Sequence, residues 1–505
     1  MEGRSLLDLA PASPQHPAVL NTLLDLIAGI WPLIAAATTL IMSVVASIHA
    51  ILTKRETSAA VGWVGVIWLA PFIGVVLYLI LGINRINRRA SIRQEGLPRF
   101  EASRRSVPCT PESLEQSLPP EKAHLTSLAR LVSNLTSRPL LDGNSFEPLI
   151  CGDEAYPEML RAIEKAEISI SLTTYIFAND ETGRKFVATL ARAVKRNVEV
   201  RVLIDAVGAR YSFPTILRQL RRAGITYARF MPSIVPWQMA YLNLRSHRKI
   251  LVVDGKTGFT GGMNIAEGNC IKENPAHAIQ DLHFRVQGPV VSELQEVFAE
   301  DWAFSCGEIL EGRRWFPELT PLGNVISRGI TDGPDESFDR LRLTLHGALA
   351  TATKSVCIAT PYFLPDNSLI SAMNTASMRG VEVDILIPEK NNLRFVDWAC
   401  LAQIAQLLRW GCRVWRTPPP FEHTKMIVVD GFWSLIGSAN WDPRSLMLNF
   451  EFNVECYDRK LALQLETILR EKQDRSSQLT LADIEKRPLP YQVRDGIARL
   501  LSPYL

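Results

Sequence analysis

No two of the eight cysteines are spaced C-x-x-C; they are scattered at 109, 151, 270, 306, 357, 400, 412 and 456. That absence argues against a zinc ribbon or a thioredoxin-like site. It reads as reduced, mostly structural thiols in a cytosolic compartment. An excess of charge is missing too. The formal net charge is +3 over 505 residues, so the totals do not point to nucleic acid. No basic region precedes the first apolar segment, so a cleaved secretory signal fits poorly. Histidine is scarce, with eight in the chain. Length imposes no limit on core size and allows two to four domains.

What is present begins with two long apolar runs, at about 26–52 and 59–83. Each approaches the roughly 20 residues that span a bilayer. Trp31 and Trp63 lie near segment ends, where interfacial aromatics collect. Pro71 sits inside the second run, and membrane helices tolerate it. The short break "TKRETS" predicts a helical hairpin. Lys54 and Arg55 occupy that break, while Arg85, Arg88, Arg89 and Arg93 follow the second run. The positive-inside rule then places the long C-terminal part in the cytosol. Residues 84–145 read as a linker ending in a short helix around "EKAHLTSLARLVSNL".

The remainder is an internal repeat. "ISISLTTYIFANDETGRKFVATLARAVKRNVEVRVLID" at 168–205 parallels "SVCIATPYFLPDNSLISAMNTASMRGVEVDILIP" at 355–388. Each reads as a strand ending in an aromatic, an Asn/Asp turn, a helix and a second strand. That is a β-α-β unit with parallel strands. Each half then carries one histidine motif: "SHRKILVVDGKTGFTGGMN" at 246–264 and "EHTKMIVVDGFWSLIGSAN" at 422–440. On a strand, residues two apart share a face, so His247 projects with Lys249 and His423 with Lys425. The small residues after each Asp-Gly turn let backbone approach a ligand closely, and Asn264 and Asn440 lie just beyond. Two such halves suit a phosphodiester. One imidazole attacks while the other moves a proton, and lysines and asparagines hold the non-bridging oxygens. The lysines supply charge that magnesium often brings, so no metal is required.

The pattern H-x-K-x4-D-x6-G-[GS]-x-N, present twice, resembles the phospholipase D superfamily over roughly 145–460. With the N-terminal apolar runs, "DLHFRVQGPVVSELQEVFAEDW", "DPRSLMLNFEFN" and "ARLLSPYL", the chain is similar to the bacterial cardiolipin synthases. The resemblance implies an α/β fold: two duplicated phospholipase D-like α-β-α lobes with one site at their interface, preceded by a two-helix transmembrane hairpin. It implies a tail at 1–25, the hairpin at 26–83, a linker at 84–145, lobes at 146–325 and 326–480, and an amphipathic C-terminal segment at 481–505. It also implies a multi-pass protein of the bacterial inner membrane with its catalytic domain facing the cytoplasm. Its activity would be phosphatidyl transfer between two phosphatidylglycerols, giving cardiolipin and glycerol, without a cofactor or metal. Its partners would be phosphatidylglycerol and an anionic phospholipid membrane, not nucleic acid; the oligomeric state stays open. Hydrolysis, or transfer to another alcohol, is the alternative. The catalytic set implied is His247, Lys249, Asp254, His423, Lys425 and Asp430, with Asn264 and Asn440 on phosphate. Asp254 and Asp430, at strand ends, are expected to be structural partners of the site rather than proton carriers. Asp281 and Glu451 would bond the far nitrogens of the histidines. Which histidine attacks is open. Arg285 and Arg444 either bind phosphate or brace the fold. Residues 231–242 are either a lipid-entry loop or a core connection, and the C-terminal helix packs on the domain or meets the membrane. Trp441 departs from the family pattern, which commonly has a smaller apolar residue there, in the pocket wall.

Overall fold

The computed structural model describes residues 16–54, 57–82, 108–136, 138–231, 244–272, 277–334 and 339–502. The chain divides into two compact units, Met1–Arg85 and Ile86–Leu505. In the first, helix His16–Thr53 contains a stretch, Gly29–Thr53, of mean hydropathy 1.9 that is long and apolar enough to cross a membrane. The second apolar run departs from the single helix expected over 59–83. It forms Thr57–Leu69 and Pro71–Leu77, then a π turn at Tyr78–Gly82. The break lies at Ala70, with φ −139° and ψ 74°. Pro71 causes it, because its ring disfavours the helical conformation for the preceding residue. Among the described residues one helix, not two, therefore passes the length test. The two runs still fold side by side: Trp68 Nε1 donates to Ser47 Oγ at 3.1 Å, and His49 Nδ1 lies 2.7 Å from Tyr78 Oη. The arginines at 85, 88, 89 and 93 and most of the 231–242 segment lie outside the described residues.

The second unit is built on a 16-stranded mixed sheet. Outward from its middle, one half runs Leu140–Ile150, Leu282–Gln287, Thr257–Gly261, Ile250–Val253, Ser169–Thr174, Glu199–Asp205, Thr226–Phe230. The other runs Val325–Asp332, Glu451–Tyr457, Trp433–Gly437, Met426–Val429, Ser355–Ala359, Glu382–Pro388, Arg413–Thr417. The order is the same, and the halves join antiparallel, with Ser327 opposite Leu141. The sequence repeat is thus a structural repeat about an approximate two-fold axis. In each half the first two strands of the β-α-β unit pair in parallel, as expected. The crossover helices Glu181–Lys195 and Asn367–Met378 are each capped by the aspartate of the turn. Asp180 accepts from Gly183 N and Asp366 from Leu369 N, both at 2.8 Å.

Residues 108–136, within the expected linker, are folded. Helix Leu125–Leu135 forms where the sequence placed one, and Leu125, Leu128, Ala129 and Val132 follow helical spacing on its buried face. Together with Leu114 and Leu118 they join the core of the second lobe, beside Leu345 and Leu349. Full burial of Leu125, Leu128 and Val132 contributes roughly 5–9 kcal/mol before conformational entropy. That is more than a solvated linker can contribute, so the segment ahead of the first lobe completes the second. Strand Leu140–Ile150 then pairs with both lobes. At the far end, helix Leu489–Leu500 packs on helix Arg394–Leu408, with the Arg494 guanidinium 4.4 Å over the Trp398 ring. None of the eight cysteines forms a disulfide.

Candidate active site

Each histidine stands just ahead of a strand that runs antiparallel to the first strand of its β-α-β unit: Ile250 pairs with Thr173, and Met426 with Ala359. Both histidines therefore lie at the carboxyl edge of the parallel strands, where α/β sheets place ligands. The backbone around each histidine is held by the other lobe. His247 N donates to Phe450 O at 2.9 Å, and Phe450 N to Arg245 O at 2.8 Å. His423 N donates to Gln280 O at 2.7 Å, within the short parallel pairing of Phe421–Glu422 with Ile279–Gln280.

That pairing delivers each acid to the histidine of the opposite lobe. His247 Nδ1 lies 3.0 Å from both carboxylate oxygens of Glu451, and His423 Nδ1 lies 2.6 Å from Asp281 Oδ2. The expectation that these acids hold the histidines fits this geometry; the exchange between lobes was not legible. A carboxylate on Nδ1 selects the tautomer with a free Nε2 lone pair. The two acid sites differ in detail. Ser438 Oγ donates to Glu451 Oε2 at 2.5 Å, and Asn449 Nδ2 donates to Glu451 Oε1 at 3.2 Å. Gly262 replaces that serine in the first lobe. A Cβ there would meet Asp281 Oδ1 at 2.4 Å, so the shorter acid and the bare glycine fit each other.

Burial pushes both histidines toward the neutral form. His423 falls to about 4, with Lys425 adding to the effect of burial, and His247 shifts in the same direction against the pull of Glu451. Burial also lowers Lys249 to about 7 and Lys425 to about 8. Burial alone would push the two carboxyls up. Lys425 and His423 outweigh it at Asp281, and His247 and Lys249 outweigh it at Glu451, so both acids end below the usual range. Lys249 Nζ donates to His247 O at 2.6 Å, and Lys425 Nζ lies 2.9 Å from His423 Nδ1.

The remaining expected residues separate into two groups. Asn264 and Asn440 follow the second strand of each motif, Thr257–Gly261 and Trp433–Gly437. Asn264 Oδ1 accepts from Ile176 N at 3.1 Å, while Asn440 Oδ1 is buried with no partner among the described residues. Asp254 and Asp430, grouped with the catalytic residues, instead lie at the opposite ends of their strands. Asp254 is on the order of 20 Å from His247 by strand rise. Each adopts a positive φ, 52° and 54°, and is followed by a glycine in the same region. Asp254 accepts from Ile168 N at 2.7 Å and Ser169 N at 2.9 Å. Asp430 accepts from Lys354 N at 2.7 Å, Ser355 N at 3.0 Å and Thr353 Oγ1 at 2.8 Å, and lies 2.8 Å from His124 Nε2. They lock the hairpin turn to the neighbouring strand. Arg285 braces the surface, 3.5 Å from Glu147 and 3.9 Å from Glu158. Arg444 is half-buried near Tyr175. Trp441 is 4% exposed, within the second-lobe core beside Phe363, and also borders a small void with Lys425 and Asn440.

Two tyrosines were missed as site residues. The Tyr175 ring stands edge-on 5.5 Å from His247, and Tyr362 stands 6.3 Å from His423. The signal was the aromatic that ends the first strand in both copies.

Comparisons with known proteins identify the family. The family model described as "Cardiolipin synthase, PLD-like domain" matches residues 159–302 and 345–472, and "Phospholipase_D-nuclease N-terminal" matches 41–82. "Major cardiolipin synthase ClsA" of Bacillus subtilis (strain 168) is 33% identical over 473 residues, covering 90% of this chain and 95% of that protein. "Cardiolipin synthase A" of Pseudomonas putida (strain W619) is 32% identical over 466 residues, covering 92% and 96%. The solved structure of a phosphatidylserine synthase from Haemophilus influenzae Rd KW20 aligns with TM-score 0.57 at 17% identity, covering 75% of this chain and 100% of that one, and shares the fold. With both copies of the domain matched and relatives aligned from the apolar N-terminal region through both histidine motifs, this chain belongs to the cardiolipin synthase family of phospholipase D-like proteins.

Proposed function

We propose that the chain is a phosphatidyltransferase that joins two phosphatidylglycerols into cardiolipin and releases glycerol. The observation that carries this reading is the pair of histidines, each 13% exposed and held at Nδ1 by a carboxylate of the opposite lobe, in a chain of this family. In the first step Nε2 of one histidine attacks the phosphorus. A P–N bond forms, the P–O bond to glycerol breaks, and the other histidine gives the departing oxygen a proton. The incoming phosphate raises that histidine's proton affinity, which burial had lowered. In the second step the same histidine takes the proton from the headgroup hydroxyl of a second phosphatidylglycerol. That oxygen attacks phosphorus, the P–N bond breaks, and the first histidine is restored. Lys249, Lys425, Asn264 and Asn440 hold the non-bridging oxygens. Water must be excluded from the phosphatidyl-histidine, and the low exposure of both imidazoles favours this. The apolar runs at 26–52 and 59–83 anchor the chain in the inner membrane as a hairpin, with the catalytic unit in the cytoplasm.

The test is mass spectrometry of the lipids formed by the purified full chain from phosphatidylglycerol, with phosphatidylethanolamine and free alcohols as competing acceptors. Cardiolipin with equimolar glycerol is expected. Phosphatidic acid without cardiolipin establishes hydrolysis instead.

The lysines set the pH dependence. They are charged only below about 7 and about 8, so raising the pH through those values removes the charge that binds phosphate. The profile of kcat/KM, which reports the free enzyme, is expected to fall on the alkaline side across that window. Lys425→Arg stays protonated and should lose that part of the limb, at a lower plateau because the guanidinium fits differently. An unchanged limb in both Lys249→Arg and Lys425→Arg assigns the titration elsewhere.

A further inference from the structure

Each half that carries a histidine also places exposed apolar side chains after its second parallel strand. After Glu199–Asp205, the first lobe's loop bears Tyr211, 66% exposed, and Phe213, 97% exposed. After Glu382–Pro388, the second lobe's loop and the helix start that follows it bear Leu393 and Phe395, 51% and 53% exposed. Both loops leave the carboxyl edge of the parallel strands, the edge on which His247 and His423 stand. Each touches a site tyrosine. Tyr211 stacks edge-on with Tyr175 at 5.9 Å, and Tyr362 Oη donates to Asn392 Oδ1 at 2.9 Å.

The apolar rim continues and is flanked by cations. Phe395 packs on Trp398 at 5.1 Å, and Trp398 meets Arg494 of the C-terminal helix. That helix shows an exposed stripe of Leu489, Val493, Ile497 and Leu500, at one-face spacing. Beyond Phe213, an open groove of about 700 Å³ is lined by Arg218, Arg221, Arg222 and Arg229. All four are exposed, and none pairs with an acid among the described residues.

We infer that this edge of the catalytic unit is a seat for an anionic bilayer surface. Phe213, Leu393, Phe395 and the C-terminal stripe enter the acyl boundary, and the arginine groove meets lipid phosphates. Exposed aromatics beside unpaired arginines match a surface that is apolar within and anionic at its rim. A second copy of this chain would bring arginines against arginines, which the charge disfavours. The inference rests on the lipid-transfer reading, and it adds how the headgroup reaches buried histidines: it descends from a bilayer lying against the site's mouth.

The test uses the full chain in nanodiscs containing phosphatidylglycerol with a photoreactive acyl chain, followed by peptide mapping. Adducts are expected on peptides holding Phe213, Phe395 and the C-terminal stripe. Adducts confined to residues 29–82, or crosslinks joining two protein copies through these peptides, overturn the proposal. Labelling reads position whether or not the enzyme turns over, so it stands apart from failure of the catalytic reading. In a second arm, Phe213→Ser combined with Phe395→Ser should lower cardiolipin formation from vesicles about tenfold, because two apolar side chains no longer enter the boundary. The same variant should stay within about twofold of wild type on monomeric short-chain phosphatidylglycerol, which needs no bilayer seat. Equal loss on both substrates, or no loss on vesicles, overturns the proposal.

Discussion

Replacing either His247 or His423 by alanine is expected to abolish cardiolipin formation, by at least about 10⁴-fold for each single variant. The double variant should be no worse than the singles, since residues acting as a unit are not additive. The two singles should differ in what they leave behind. The variant that keeps the attacking histidine can still accept a phosphatidyl group but resolves it slowly, so a phosphatidyl adduct should accumulate on that histidine's peptide. The variant that lacks it should show none. Intact-mass and peptide mass spectrometry after brief exposure to phosphatidylglycerol reads this directly and assigns the nucleophile. Unchanged product from both variants would end the catalytic reading. Both variants should keep the wild-type melting temperature to within a few degrees, because each imidazole is partly open to the cleft.

The second large effect belongs to the acids. Glu451→Gln and Asp281→Asn should each lower kcat about 10²- to 10⁴-fold with a smaller change in KM, as loss of the carboxylate that orients a catalytic imidazole does elsewhere. The exchange between lobes gives this prediction a sharper form. Glu451 raises the proton affinity of His247, and Asp281 raises that of His423. Neutralising Glu451 should therefore lower the pKa of His247 further and leave His423 nearly unmoved; Asp281→Asn should do the converse. Nuclear magnetic resonance titration of labelled histidines separates the two. A shift of the same-lobe histidine instead would contradict the pairing seen between Nδ1 and the opposite lobe.

The two histidine motifs, their order after two β-α-β units, and the presence of small residues near the ligand were all readable from one-dimensional spacing. Periodicity of two on a strand places His247 with Lys249, and His423 with Lys425, whatever the rest of the chain does. The helix near 125–135 was equally legible, because its apolar residues recur at helical spacing. Its destination was not. An amphipathic face states that something must cover it, and only the packed structure shows that the second lobe does. The apolar run at 59–83 was readable as apolar. Its division at Ala70 followed from the backbone restriction that Pro71 imposes, which a hydropathy window averages away.

By itself the sequence determined the chemistry available: one imidazole, one ammonium group, one amide and one acid, supplied twice by a duplicated unit. It grouped Asp254 and Asp430 with the catalytic residues; the structure separated them from the reaction, because each carboxylate accepts backbone amides at the far end of its strand. Tertiary structure alone decided which acid serves which histidine. That choice depends on a short parallel pairing of Phe421–Glu422 with Ile279–Gln280, and on its counterpart where Phe450 meets Arg245 and His247. These contacts join residues about 140 and 200 positions apart. Sequence spacing carries no information at that range, because the path between them is fixed by the two-fold packing of the whole sheet.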